Sequence, residues 1–359
     1  MIFLKRGFFL PGIVVLLFSL FSQYVFAADS GTPDINLNSS PINAKAYIAE
    51  GNLYLPVRAI CESLGYDVEW LQADQTVEIT SNSTAISLNF NKSTIKVNDH
   101  DYYMTEGRIT IKDRIYMKAD FFSDNFDLRV KRDKANATVS LDSIKANPIY
   151  IRTIKETSEN SALKIILQYP RINGLENKLV QDETNTLFKQ LAENAAKEGI
   201  KNAADLAEYA KKYPGGSPNP CETYFDYHVK YNQNNMLSLV FLNYQYAGGA
   251  HGNTLQTSYT INLETGKQHS LKDLFKENSD YVSMISDCVK AQLNERNLMD
   301  VLLVAFDKIR EDHSYYLTND GVVVYFQQYE ILPGAAGIQE FSTDFSLLKE
   351  LIIEPDIFK

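Results

Sequence analysis

A glycine-rich turn between two strand-like segments is the feature that most constrains this fold. An apolar run over residues 236–242 leads into residues 244–252, which have the sequence YQYAGGAHG, and residues 257–263 return as a second strand-like segment. An ordinary hairpin needs only two turn residues. Three glycines within five residues therefore indicate positive φ angles or close packing of the backbone. We call residues 246–252 the glycine-rich turn.

His251 lies in this turn, and the residues alone leave two interpretations open. The ring either satisfies local backbone groups in a wide turn, or it belongs to a recognition or catalytic loop carried by a rigid sheet. In both cases we expect the side chain to be accessible and held in place.

The composition is that of an acidic, folded and strand-rich protein. Hydrophobic residues make up 45% of the chain, and 22 Tyr and 19 Phe stand against a single Trp, a pattern that favours sheet over disorder. The formal charge is −10, and removal of residues 1–27, which carry two cations and no acid, takes it to −12. This charge gives no electrostatic reason to bind nucleic acid or an anionic membrane surface, and it favours a cationic partner.

Residues 1–27 are predicted to be an export signal. Lys5 and Arg6 precede an apolar stretch, and small residues around Ala27 fit a cleavage site. An uncleaved anchor is the alternative, because the apolar length just reaches a bilayer span, and only then would the chain contact a membrane. Either outcome makes the protein extracellular or envelope-associated. Residues 28–43 have turn-forming composition and are interpreted as a linker.

Residues 44–145 contain two copies of a short unit of strand, helix, strand and strand. Residues 53–60 (LYLPVRAI) correspond to residues 115–122 (IYMKADFF), and residues 66–70 correspond to residues 126–130. The strands alternate apolar and polar side chains with a period of two. We therefore predict a small repeated β-α-β-β module.

This module resembles the N-terminal domain of copper amine oxidases, which is common in secreted proteins of Gram-positive bacteria. The resemblance is carried by residues 55–60 (LPVRAI) and 64–70 (LGYDVEW). It does not imply copper chemistry, because that needs several histidine ligands and the module holds only His100. Arg58 is interpreted as a surface cation paired with Glu62 one helical turn away. We expect the module to act as a spacer or as a wall contact.

Residues 146–359 alternate between strand-like and helix-like segments. Long strands are predicted at residues 223–231 and 236–246. Amphipathic periodicity predicts helices before and after this pair of strands. Together, these strands and helices predict an α+β fold in which an antiparallel sheet packs with helices on one face. The predicted helices span residues 175–199, 203–212, 281–293, 301–309 and 345–352.

The turn and a segment near the C-terminus together resemble a known family. Residues 246–252 match its Gly-Gly-Ala-His turn, and residues 324–337 (VYFQQYEILPGAAG) match an aromatic strand followed by Tyr, an aliphatic residue, Pro and small residues. They resemble the DUF4163 and DUF3298 region shared by lysozyme-sensing anti-sigma factors and a peptidoglycan deacetylase. The resemblance places DUF4163 at about 148–250 and DUF3298 at about 265–350.

The resemblance implies an exported, non-catalytic cell-envelope protein that binds a peptidoglycan-related ligand. That ligand is either wall polysaccharide or a muralytic enzyme such as lysozyme, and a cationic lysozyme would be attracted to an acidic chain. The alternative is a peptidoglycan-modifying enzyme with His251 as acid or base, which predicts carboxylates converging on its ring. The candidate ligand-binding residues are Tyr244, Tyr246, Gly248, Gly249, His251, Tyr325 and Tyr329.

No motif points to a cofactor, a metal or a familiar catalytic site. The histidines lack zinc-site spacing, and the chain has no nucleophile elbow, phosphate-binding glycine loop or dinucleotide fingerprint. We therefore predict no cofactor and no metal, while abundant carboxylates leave glycoside cleavage open. Few cysteines indicate that disulfides are not the main covalent reinforcement, and pairing of Cys221 with Cys288 is left open.

Overall fold

The computed structural model describes residues 32–49, 51–82, 84–104, 108–213 and 219–353. The predicted export signal lies outside these residues. Within the described ranges, no helix combines the length and the apolar character needed to cross a membrane. The fold is α+β, as predicted. Residues 34–143, called the first domain, surround one apolar core. Residues 149–353, called the second domain, contain two large apolar clusters and one small one.

The first domain confirms the predicted repeat. Its elements are β1 (Asp34–Leu37), β2 (Ser40–Lys45), β3 (Tyr47–Ala49), β4 (Asn52–Pro56), α1 (Val57–Ser63), β5 (Asp67–Leu71), β6 (Thr76–Thr80), β7 (Ala85–Asn89), β8 (Thr94–Val97), β9 (His100–Tyr103), β10 (Ile109–Ile111), β11 (Arg114–Lys118), α2 (Ala119–Asn125), β12 (Leu128–Asp133) and β13 (Thr138–Ser143). The two copies run β4-α1-β5-β6 and β11-α2-β12-β13, and the strands that begin them pair antiparallel with each other. Three small sheets, in the orders β12-β13-β1-β2, β10-β11-β4-β3 and β5-β6-β7-β8-β9, enclose one core.

The interpretation of residues 28–43 as a linker is wrong from Asp34 onward. Strand β1 lies between β13 and β2, so the start of the described chain completes a sheet of the first domain. Asn38 and Ser39, whose composition suggested a linker, have φ angles of 48° and 66° and form the tight turn between β1 and β2. Asn is among the residues that favour this turn conformation, so the polar cluster marks a hairpin.

The second domain contains one large and one small sheet. Its elements are β14 (Tyr150–Glu159), β15 (Leu163–Asn173), α3 (Lys178–Lys212), β16 (Cys221–Gln233), β17 (Met236–Tyr246), β18 (Asn253–Asn262), α4 (Tyr281–Glu295), β19 (Tyr315–Leu317), β20 (Gly321–Phe326), β21 (Gln339–Asp344) and α5 (Phe345–Leu348). Helix α3 packs on one face of the large sheet β14-β15-β16-β17-β18, and the small sheet β19-β20-β21 contacts β17 and β18 on the other. The large sheet is antiparallel except for β15 and β16, which are parallel because α3 carries the chain back between them.

Strand β17 explains why both faces of the large sheet are covered. Leu239 and Phe241 point into the core beneath α3, whereas Val240 joins the apolar cluster formed with the small sheet. Successive side chains of a strand alternate between the two faces. The continuous apolar run at residues 236–242 therefore belongs to a strand that is buried on both sides.

Near the C-terminus, two segments predicted to be helices are shorter or absent in the structure. Residues 301–309 are not an α-helix, because their backbone groups are satisfied elsewhere: the Leu303 amide donates to the Ile331 carbonyl, and the Ile309 amide donates to the Ser286 hydroxyl. The predicted C-terminal helix is limited to α5, which is four residues long.

A polar interface joins the two domains. The Asn319 side-chain amide donates to the Leu128 carbonyl at 3.0 Å, and its oxygen accepts from Gln233 at 2.9 Å. Lys230 forms an ion pair with Asp124 at 2.6 Å. These contacts connect β12 and α2 of the first domain to β16 and the β19–β20 turn of the second.

Candidate functional site

The glycine-rich turn connects β17 to β18, whose last paired residues are Gln245 and Asn253. Gly248 has a φ of 81°, a left-handed conformation that glycine adopts without steric cost. A Cβ atom there would lie 2.6 Å from the Leu206 side chain of α3, whereas a Cβ at Gly249 would meet no described atom within 4 Å. Glycine at position 248 is therefore required both by the backbone angle and by the contact with the helix.

Two tyrosine side chains contact the backbone of the glycine-rich turn. The Tyr244 ring lies against the backbone of Gly252, where a Cβ atom would be 2.3 Å from the ring. The Tyr246 hydroxyl donates to the Gly249 carbonyl at 3.0 Å. Partial burial raises the pKa of Tyr244, with a smaller contribution from the Glu222 carboxylate. Both rings thus support the shape of the turn more than they present a free face.

A second loop, residues 327–337, meets the turn and is called here the C-terminal loop. Tyr329 is 54% exposed, and its ring covers Gly334, where a Cβ atom would lie 2.0 Å from it. The Tyr329 hydroxyl is 3.5 Å from Nε2 of His251. The other ring nitrogen, Nδ1, is 2.9 Å from the Gly252 carbonyl. Because a carbonyl only accepts, Nδ1 carries the proton and Nε2 faces the tyrosine hydroxyl.

Two glutamines that sequence reasoning did not single out hold the C-terminal loop on β18. Gln327 accepts from the Gln256 amide and donates to its carbonyl, as a neighbouring strand would. Gln328 accepts from the Thr254 amide and donates to the Gly334 carbonyl. These side chains cap the edge strand and fix the position of both loops. Their only sequence signal is the Gln-Gln pair directly after the aromatic strand.

Tyr325, predicted as an exposed aromatic candidate, lies beneath the site. It is 3% exposed, and its hydroxyl is 3.0 Å from the Ser258 hydroxyl. Its position follows from alternation along β20, which places this side chain against the large sheet. A buried ring cannot stack on a ligand, so the surface of the site consists of the exposed side chains of His251 and Tyr329, with Tyr244 and Tyr246 behind them.

The enzyme hypothesis predicts carboxylates that converge on the ring of His251. Within the described ranges, no carboxylate oxygen lies within hydrogen-bond or ion-pair distance of its ring. The same residues include no group of three or more His, Cys, Asp and Glu side chains that could hold a metal.

Cys221 and Cys288 are both free thiols, so the bridge left open by the sequence does not form.

Three family models match successive parts of the chain. The copper amine oxidase N-terminal domain matches residues 35–141, the deacetylase PdaC domain matches residues 156–254, and DUF3298 matches residues 272–346. The chain is similar to these three domain families in that order. The resemblances inferred from sequence motifs are therefore confirmed. His251 belongs to the PdaC match and Tyr329 to the DUF3298 match, so their contact joins these two matched regions within the second domain.

Two curated relatives each match about half of the chain. The peptidoglycan-N-acetylmuramic acid deacetylase PdaC of Bacillus subtilis is 25% identical over 184 residues, which is 50% of this chain and 38% of the deacetylase. The anti-sigma-V factor RsiV of the same organism is 24% identical over 210 residues, which is 56% of this chain and 68% of RsiV. The chain thus spans less than two thirds of the length of the deacetylase. A solved DUF3298 protein from Bacteroides fragilis is 20% identical, with a TM-score of 0.48 over 59% of this chain and 97% of that one.

Proposed function

We propose that this chain is an exported cell-envelope protein whose second domain recognises a muralytic enzyme such as lysozyme. The observation that carries the proposal is the exposed pair of His251 and Tyr329, presented by two loops that are each braced from below. The relatives named for peptidoglycan deacetylation and for anti-sigma activity support an envelope location. The resemblance to lysozyme-sensing proteins supplies the class of ligand.

The form of the surface favours a protein ligand over a sugar chain. The glycine-rich turn extends beyond the sheet, and small exposed residues, Ala250 and Ala335, flank the histidine and tyrosine. Neither of the two cavities described for this protein is lined by these residues. A rigid aromatic side chain on a protruding, preorganised loop is typical of the residues that dominate protein–protein affinity. The acidic net charge would speed association with a cationic enzyme.

Calorimetric titration of residues 28–359 with lysozyme tests this proposal directly. We expect saturable binding that persists at physiological ionic strength, since its energy comes from buried contacts at the loops as well as from charge. Tyr329→Ala should weaken binding by about 30-fold, which corresponds to the loss of about 2 kcal/mol typical of an interface hot spot. His251→Ala should weaken it in the same direction.

Tyr103→Ala is the matched control, because this tyrosine of the first domain is 65% exposed and lies in a different region of the fold. The control should bind lysozyme as the unmodified chain does. Heat that disappears at physiological salt, or equal affinity in all three variants, would contradict the proposal. Wall-polysaccharide binding and the peptidoglycan-modifying enzyme would then be the remaining hypotheses.

A further inference from the structure

A cavity of about 160 Å³ lies between the first and second domains. It is bordered by β9, the end of α2, the start of β14 and the middle of β16. An engineered protein cavity of about 150 Å³ accepts benzene, so this volume is on the scale of one six-membered ring. The proposed recognition loops do not border it. Its principal lining side chains are His100, Tyr102, Asn125, Thr153, Tyr227 and His228.

The walls of this interdomain cavity are polar and fixed by hydrogen bonds. The Tyr227 and Thr153 hydroxyls are 2.8 Å apart, and the Tyr102 hydroxyl donates to the Asn125 side chain at 3.2 Å. The ring of Tyr227 stacks on His100 with 4.5 Å between centroids. Polar walls of this kind favour a hydrated or hydroxyl-bearing guest over an apolar one.

The charged residues that line the cavity are mainly acidic: Asp99 and Asp124 line it together with Arg152, and further charged groups lie behind the walls. Nε2 of His100 lies 2.6 Å from the Asp226 carboxylate, whose side chain is 3% exposed, and Lys230 pairs with Asp124. Burial lowers the pKa of His228 to about 3, so this ring is neutral in ordinary surroundings. Because the lining carries more carboxylates than cations, it disfavours an anionic ligand.

His228 is the wall residue with unused hydrogen-bonding capacity. Its ring packs edge-on against Tyr102, with centroids 5.0 Å apart. Among the described residues, neither ring nitrogen has a hydrogen-bond partner, and neither is sealed off in the interior. A neutral imidazole carries one donor and one acceptor. Both are available to a molecule that enters the cavity.

We propose that this interdomain cavity binds one uncharged pyranose ring of a glycan, with His228 hydrogen-bonding to the sugar and the tyrosines lining its sides. Hydroxyl groups match the donor and acceptor of His228, and a six-membered ring matches the volume. Exposed Tyr150 and Arg152 stand at the opening, which leaves a path for the rest of the glycan to extend into solvent. This site is independent of lysozyme recognition, and its location at the domain junction gives the first domain a part in binding.

Ligand-observed NMR on residues 28–359 provides the test, with N-acetylglucosamine, glucose and glucuronate as separate probes. We expect saturable binding of the two neutral sugars with a Kd on the order of 1 mM or weaker, as suits a single small ring. Preference for N-acetylglucosamine over glucose would identify an amino-sugar glycan as the source. Glucuronate should bind more weakly than either. In protein-observed NMR spectra recorded along the same titration, the imidazole resonances of His228 should shift, a readout that needs no variant.

His228→Phe keeps the ring and removes both nitrogens, so we expect at least a tenfold loss of affinity for the neutral sugars. Thr153→Val is a second variant, which keeps side-chain volume and removes the partner of the Tyr227 hydroxyl; it should also weaken sugar binding. Tyr329→Ala, at the other site, should leave sugar affinity unchanged. An absence of saturable binding, unshifted His228 resonances, or equal sugar affinity in His228→Phe would overturn the proposal.

Discussion

At the scale of single residues, Asp320 has a charge that its surroundings disfavour. One carboxylate oxygen is buried and has no hydrogen-bond partner among the described residues. Burial raises the pKa of Asp320 from its ordinary value of 3.8 to about 6, and Arg129 and Lys131 only partly offset this effect. The side chain lies beside Asn319, at the junction with the first domain. Its ionisation therefore opposes folding at neutral pH.

We expect Asp320→Asn to stabilise the protein at pH 7 and to have little effect in acid. Because the folded pKa is higher than the unfolded one, the native state binds the proton more tightly, and stability falls as pH rises from about 4 through 6. The variant should increase the free energy of unfolding by about 1–3 kcal/mol at pH 7, and the gain should vanish below about pH 4. Urea unfolding across this pH range measures both quantities.

Asp312→Asn is a suitable control, because the Asp312 side chain is 74% exposed on the approach to the same hairpin. It should change the free energy of unfolding by less than about 0.5 kcal/mol. A gain in Asp320→Asn that is the same in acid as at pH 7 would show that the carboxylate charge is not the cause.

At the scale of elements, helix α3 corrects the sequence prediction most clearly. Residues 178–212 form one continuous helix, whereas Gly199 was predicted to end a first helix. Gly199 is instead an interior helical residue, and a Cβ atom there would lie 2.0 Å from the Thr223 hydroxyl of β16. With buried Ala192 and Ala195, it makes a face of small residues that lets the helix approach the sheet.

Gly199→Ala should therefore destabilise the protein even though alanine favours helices. Helix propensity would contribute about 1 kcal/mol in favour of the variant, but overpacking against Thr223 costs roughly 1–3 kcal/mol. We expect a net loss of stability of up to about 2 kcal/mol, measured by chemical denaturation. Asn194→Ala, on the exposed face of the same helix, should be neutral or slightly stabilising.

A double-mutant cycle with Thr223→Ala distinguishes overpacking from other causes. Removing the hydroxyl makes room for the added methyl group, so the double variant should lose less stability than the sum of the two single variants. Strict additivity would contradict the proposed contact between Gly199 and Thr223.

At the scale of the whole molecule, hydrogen bonds join the first domain to the second. Asn319 bonds to both Leu128 and Gln233, so one side chain connects β12, β16 and the β19–β20 turn. Arg129 adds a bond from its guanidinium to the Asn319 carbonyl at 3.1 Å. We therefore expect the two domains to unfold together, as a single transition in calorimetry.

Asn319→Leu should uncouple the domains. The substitution leaves the Leu128 carbonyl and the Gln233 amide without this partner, at a cost of about 1–3 kcal/mol for each buried group. We expect the calorimetric transition to split into two, with a lower first midpoint. Asn243→Leu, which removes a bond to Glu198 within the second domain, should lower the midpoint without splitting the transition. One transition in Asn319→Leu would contradict the coupling.

Much of the architecture was accessible from the sequence because it depends on local patterns. Period-two alternation and the two corresponding pairs of segments predicted the repeated module, and Arg58 pairs with Glu62 at 3.0 Å as proposed. The glycine-rich turn was located correctly because clustered glycines indicate positive φ angles or close backbone packing, and both are local properties of the chain. These features are decided by residues close together in the chain.

By itself, the sequence determined the α+β class, both domain types and the two segments that form the candidate site. Only the tertiary structure decided that Tyr325 is buried while Tyr329 is exposed. The exposure of each side chain depends on whether another element packs over it. The tertiary structure also decided that His251 meets Tyr329 across 78 positions and that two domains enclose a cavity. The physical reason is that contacts between distant segments depend on how whole elements pack, and no local pattern encodes that arrangement.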